Sequence, residues 1–129
     1  MIEEELLEKD FCYDLVGLAM KVINKLGHGY RERTYENAFC IELKKNNIPF
    51  SQQSHFPIYY DNQIIDEFVP DMIADKRVIL EFKTVESITD EHKGQLLNYL
   101  RVTGIKVGII INFKHPTLQW EHIVLDKAR

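Results

Sequence analysis

Cysteine is scarce in this sequence: Cys12 and Cys40 are the whole supply, each set in a helical pattern among apolar neighbours. That scarcity excludes a disulfide framework, and the two read as buried free thiols of a reducing compartment, so a cytoplasmic protein is expected. The five histidines, at 28, 55, 92, 115 and 122, are scattered, and no Cys/His spacing resembles a zinc site. No apolar run approaches the ~20 residues of a membrane helix. The start, "MIEEELLEKD", is acidic where a secretory signal is basic and then apolar, so neither a leader nor a membrane partner is expected. Linkers rich in Gly, Ser or Pro, internal repeats and low-complexity runs are missing too, which predicts one domain over residues 1–129. Positive charge is in deficit. The 16 Lys and Arg face 20 Asp and Glu, for a net charge of −4. This excludes a general polyanion binder, whose affinity comes from neutralising phosphates. Nucleic acid stays open only through a local site with a metal, a basic patch or a partner.

What is present is a core-forming pattern, with 45% of residues hydrophobic. Apolar residues recur at helical spacing from Asp10 to Leu26, and Gly27 and Gly29 then supply a stop and restart. A second helix is predicted from Arg31 to Asn46, with Tyr35, Ala38, Phe39, Glu42 and Leu43 near one face. Strands are predicted over 51–60, 64–74, 77–83 and 105–112, with a weak last one near 118–125. Between the third and fourth, "ITDEHKGQLLNYLRVTG" reads as a helix with Leu96, Leu97, Tyr99 and Leu100 on its apolar side. The order α-α-β-β-β-α-β-β predicts an α/β fold with a mixed sheet flanked by helices. The crossover helix makes the strands around it parallel.

One stretch stands out chemically, "DMIADKRVILEFK", residues 71–83. Alternate side chains of a strand share a face, so Val78, Leu80 and Phe82 point to the core, and Ile79, Glu81 and Lys83 point the other way. If the loop before them is the three residues Asp75, Lys76 and Arg77, Asp71 sits directly across from Glu81. A two-residue loop would put the carboxylates on opposite faces. Like charges directly opposed are destabilising and need a reason. Two oxygen ligands on a stiff sheet, with room for water and phosphate, suit Mg²⁺ or Mn²⁺, and a lysine one pleat along suits an attacking water or charge on phosphorus. The competing explanation is a solvent-facing strand end where Lys83 neutralises Glu81.

Pro70-Asp71 followed by Glu81-Phe82-Lys83 resembles the PD-(D/E)XK signature of the restriction-endonuclease-like nucleases. "GYRERTY", with Gly29, Glu32 and Tyr35, is similar to the pattern that names the GxxExxY proteins, as is "QLLNYLRVTGIKVGIIINF", residues 95–113. The resemblance runs from about Leu15 to Phe113. It implies an αβββαβ core with an additional N-terminal helix, and a metal-dependent nuclease acting on nucleic acid, DNA ahead of RNA. It further implies Mg²⁺ or Mn²⁺ held by Asp71, Glu81, Glu32 and the Phe82 backbone carbonyl. Lys83 would be the catalytic lysine and Gln95 its orienting partner, with Tyr35 and Tyr99 in support. A homodimer is compatible with a small nuclease. The rival reading keeps the fold without the chemistry: a catalytically silent module that binds nucleic acid or a protein.

Other residues carry weaker signals. Tyr35 lies one helical turn beyond Glu32, close enough to brace it or simply to pack. His92, three residues before Gln95, reads as an exposed helix histidine. Lys44, Lys45, Lys93, Arg101, Lys106 and Lys114 read as ordinary solvated surface. "HFPIYY" reads as a buried or edge strand, with Tyr59 and Tyr60 available to stack on bases or a partner.

Overall fold

The computed structural model describes residues 8–125, so the acidic start up to Leu7 lies outside the described residues. Helix α1 (Lys9–Leu26) buries Cys12, Leu15, Val16, Ala19, Val22 and Ile23; of the apolar residues at helical spacing, Phe11 and Leu18 are only partly buried and Leu26 is exposed. It ends where Gly27 takes φ +79° and donates its N–H to the Ile23 carbonyl. Helix α2 (Glu32–Lys45) buries Tyr35, Phe39, Cys40 and Leu43 into the same cluster. Both cysteines are buried and free.

Seven strands form where five were expected. The segment 51–60 is two strands, β1 (Phe50–Gln52) and β2 (Phe56–Tyr60), broken at Gln53, whose φ of +54° cannot continue an extended chain. The segment 64–74 is likewise β3 (Gln63–Phe68) and β4 (Met72–Ala74), separated by Pro70, which has no N–H for a ladder. Strands β2 and β3 pair with each other as a ribbon, turning at Asp61 and Asn62, both at positive φ. β5 (Val78–Lys83), α3 (Asp90–Thr103), β6 (Val107–Asn112) and β7 (Gln119–Val124) complete the order. The main sheet runs β1-β4-β5-β6-β7, with β5 and β6 parallel across α3 and the other pairs antiparallel. Leaving out the ribbon, α2-β1-β4-β5-α3-β6 is the expected αβββαβ core; α1 precedes it and β7 follows it.

The sheet is covered on both sides. Met72, Ala74, Val78, Leu80, Phe82, Val107, Ile109 and Ile111 face α1 and α2. Ile73, Ile79 and Ile110 face Leu96 and Leu100 of α3. Burying each such side chain stabilises by about 1.5–3 kcal/mol, which accounts for the near-continuous apolar runs of β5 and β6. Helix α3 lies so close to β6 that a Cβ at Gly108 would come within 2.9 Å of Leu96 Cδ2. The face bearing Ile79, Glu81 and Lys83 is therefore no solvent face: Glu81 and Lys83 are both half-buried beside a helix, and among the described residues they form no ion pair with each other.

Candidate active site at the ends of two strands

The turn between β4 and β5 is the three-residue one. Ala74 lies opposite Val78, Ile73 opposite Ile79 and Met72 opposite Leu80, so one further step puts Asp71 opposite Glu81. The turn closes with the Arg77 N–H donating to the Ala74 carbonyl and with Asp75 and Lys76 both left-handed, at φ +51° and +59°. At the other end of the strands the two acids interlock. The Asp71 N–H donates to Glu81 Oε2 at 3.0 Å, and the Phe82 N–H donates to Asp71 Oδ2 at 2.9 Å. Strand β4 starts only at Met72, and the Asp71 carboxylate takes the N–H of β5 that lies beyond it.

Burial dominates the electrostatics here. It pushes the Glu81 carboxyl up to about 8 from an ordinary 4.5, with the Asp71 charge adding to it and Lys83 opposing. Asp71 is raised as well, by burial first; the Phe82 N–H holds it down, while Glu36 and Glu32 push it further up. The raised Glu81 carboxyl favours its protonated form near neutral pH unless a cation joins the pair.

The sheet divides the predicted residues into two groups, and the Asp71–Glu81 contact joins them. On the α2 side, a cleft of about 430 Å³ is lined by Arg31, Glu32, Arg33, Glu36, Gln53, Asp71 and Thr84. Glu32 accepts the Thr84 N–H at 3.0 Å, which anchors the helix acid next to Lys83. On the α3 side, Glu81, Lys83, His92, Gln95, Leu96, Tyr99 and Ile110 line a crevice too narrow for a water molecule. Tyr99 stacks on Phe68 with ring centroids 3.4 Å apart, and its hydroxyl is pushed up by burial and then by the Glu81 charge, with Gln95 opposing. His92 is more than an exposed helix histidine. It completes the α3 capping box, its Nδ1 accepting the Thr89 N–H at 3.0 Å, and its ring reaches the crevice.

One reading from sequence changes and one residue is added. Tyr35 does not brace Glu32. Its hydroxyl donates to the Gly27 carbonyl at 2.8 Å and accepts the Tyr30 N–H at 3.2 Å, while its ring stacks on Phe113. It thereby staples the Gly27–Tyr30 loop, where Gly29 sits at φ +107°, and fixes the entry to α2. Glu36 was missed. It is only 4% exposed, accepts Gln52 Nε2 at 2.8 Å, and bears on both Asp71 and Glu81. A carboxylate one turn after Glu32, next to a core tyrosine, was the signal available for it.

A larger concavity, about 770 Å³, lies at the far end of β5 beside Phe11, Asp75 and Arg77. Its arginine is already engaged, bonded to Glu8 and Asp75 and lying 4.1 Å over the Phe11 ring. The chemistry-bearing groups sit at the other end of the strand. Among the described residues, no three His, Cys, Asp or Glu side chains are grouped as a metal cage, and no helix is long and apolar enough to cross a membrane.

Known proteins match this arrangement. A segment of 84 residues is 29% identical to the succinyl-diaminopimelate desuccinylase of Wigglesworthia glossinidia brevipalpis, covering 65% of this chain and 22% of that protein. The crystal structure of SSO0001 superposes with a TM-score of 0.56 at 23% identity, over 74% of this chain and 52% of that one. The chain thus spans a minor part of the first and about half of the second, and at such identity the second is a likeness of fold. A family model for the PD-(D/E)XK nuclease superfamily matches residues 9–123. That match takes in the elements of the described residues from α1 to all but the last residue of β7, together with both acids, and the chain belongs to the PD-(D/E)XK nuclease superfamily.

Proposed function

We propose that the chain is a divalent-metal-dependent nuclease that hydrolyses phosphodiester bonds of nucleic acid, DNA ahead of RNA, at the Asp71–Glu81–Lys83 end of the sheet. The supporting observation is the interlocked carboxylate pair, both raised in pKa first by burial, with the Asp71 charge adding to the rise of Glu81 and the Glu36 and Glu32 charges to that of Asp71. One oxygen of each carboxylate is bonded to backbone; the other has no hydrogen-bond donor among the described residues. Such a pair fits Mg²⁺ or Mn²⁺, hard ions that take oxygen ligands and keep several waters, so a full protein cage is not required. Asp71 and Glu81 would hold the ion, with Glu32 assisting from α2. The Phe82 carbonyl is a further candidate ligand, because in an extended strand it faces the same neighbour as the Phe82 N–H, which points at Asp71.

When bound, the ion supplies polarisation of a phosphate oxygen and a water of lowered pKa. Lys83 positions the attacking water and offsets charge building on phosphorus. Gln95 orients Lys83, and Tyr99, braced by Phe68, keeps bulk water out of that wall. Glu36 raises the basicity of both acids from below. Arg31 and Arg33, exposed at the mouth of the cleft, offer the local cations that a chain of negative net charge needs near a phosphate.

Labelled single- and double-stranded DNA and RNA, incubated with Mn²⁺ or Mg²⁺, test this reading. Cleavage is expected with the natural chain and lost in Glu81→Ala and Lys83→Ala; cleavage that persists in both variants sinks it. A second reading, the silent nuclease-fold module, draws on the lack of a three-ligand group among the described residues. It expects no Mn²⁺ heat in calorimetry and no cleavage, together with a stable partner complex.

A further inference from the structure

The β2–β3 ribbon stands outside the main sheet and carries four exposed large apolar side chains, Tyr59, Tyr60, Ile64 and Ile65, exposed by 61%, 67%, 64% and 63%; Tyr59 and Ile64 share its outer face, and Tyr60, paired with Gln63, lies on the other. Phe56, Ile58 and Phe68 pack its inner face toward α3. Tyr59 and Ile64 lie directly opposite one another, just past the register shift between Ile58 and Tyr59 that leaves Ile65 as the extra residue. A two-stranded ribbon is marginal in water, and a concentrated apolar patch on it marks a contact surface. We propose that this surface is the contact between two copies of the chain, related by a two-fold axis, with Tyr59 and Ile64 at its centre.

Charge and area select this occupant. Residues 55–68 contain no Lys or Arg and three acids, Asp61, Asp66 and Glu67, so the ribbon repels a phosphate backbone or an anionic lipid surface. Tyr59, Ile64 and the bulged Ile65 at these exposures present on the order of 400 Å² per copy, most of the ~500 Å² that each copy contributes to a specific interface of ~1,000 Å² total, as an isologous dimer requires. The acids border the apolar centre. Asp61 lies in the turn, Asp66 accepts the Glu67 N–H at 2.8 Å, and Glu67 pairs with His55 at 2.9 Å. Two such ribbons repel weakly through these acids, so added salt strengthens the association, the reverse of nucleic-acid binding.

Sedimentation equilibrium of the whole chain, without metal or substrate, tests this independently of the nuclease reading. The expected result is a reversible dimer whose dissociation constant falls between low and high salt. Tyr59→Thr combined with Ile64→Thr should raise that constant by about tenfold or more with an unchanged circular dichroism spectrum. Tyr59→Lys alone should do the same if the double variant folds poorly. A chain that stays monomeric at several hundred micromolar in both salts overturns the proposal. So does a folded variant that dimerises like the natural chain, or a ribbon whose substitution weakens nucleic-acid binding and leaves association unchanged.

Discussion

Glu32 accepts the backbone N–H of Thr84 at 3.0 Å, across 52 positions of chain, and so ties the first turn of α2 to the residue after Lys83. An amide oxygen can accept the same bond without the charge. Glu32→Gln should therefore keep the melting temperature while lowering cleavage, and Glu32→Ala should lower both. Equal loss of activity at equal stability in the two variants would deny the carboxylate any role beyond tethering.

The raised Glu81 carboxyl makes stability depend on pH. The folded chain holds that proton up to about 8, whereas the unfolded chain releases it near 4.5. Stability is thus fullest below 4.5 and falls as pH rises from there to 8, because the fold binds more protons than the unfolded state in that window. Asp71, raised in the same direction, adds to the slope. In denaturant melts with chelator present, Glu81→Gln should flatten this slope and gain on the order of 1–3 kcal/mol over the natural chain at pH 8.5. A slope unchanged by Glu81→Gln would remove Glu81 as its source.

A divalent ion that joins the pair must displace the proton that the raised Glu81 carboxyl holds. Manganese titrations in buffers of different ionisation enthalpy should show proton release, and affinity that rises with pH up to about 8. Asp71→Ala should abolish the binding. Glu36→Gln should shift the midpoint to lower pH, since the Glu36 charge raises both acids. Binding that is pH-independent and survives Asp71→Ala would place the ion elsewhere.

Asn112 holds the loop after Lys83. Only 1% exposed, it accepts the N–H groups of Val85 and Lys114 and donates to the Val85 carbonyl and Gln119 Oε1. Gln119 in turn accepts the Ile88 N–H. Asn112→Ala should cost about 2–4 kcal/mol by leaving these groups unpaired, and amide exchange should quicken first at Val85 and Ile88. Protection there that matches the natural chain would contradict this anchoring.

Tyr35→Phe tests the staple at the entry to α2. Losing one hydroxyl that serves the Gly27 carbonyl and the Tyr30 N–H should cost about 1–2 kcal/mol. Gly29→Ala, at φ +107°, should cost a similar amount through backbone strain. Neither should alter the pH dependence of metal binding, because neither side chain reaches the acids.

Much of this was legible in the sequence because it is local. The 3.6 period of α1, the glycine stop at Gly27 and the apolar runs of β5 and β6 each follow from near neighbours in the chain. Segment 51–74 reads as two strands because nothing in the polar run Ser51–His55 announces the positive φ of Gln53, and Pro70 is a single residue beside Phe68 and Val69. The consequence of these two breaks, a ribbon leaving the main sheet, shows only once the sheet exists. The Tyr35 hydroxyl was assigned by helical spacing, yet the loop folding back over it claimed its hydrogen bonds.

The sequence by itself determined the order of the helices, the parallel pairing across α3 and the presence of two acids and a lysine near strand ends, because side-chain period and loop length are written in consecutive residues, whereas the splitting of two predicted strands into four came with the fold. The tertiary structure alone decided that Asp71 faces Glu81. "ADKR" contains neither Gly nor Asn to announce a turn type, and the left-handed pair Asp75–Lys76 is imposed by the strands it joins. It also decided that Glu36 belongs with them and that α3 seals the opposite wall, since burial, and the pKa shifts it causes, belong to the packed chain.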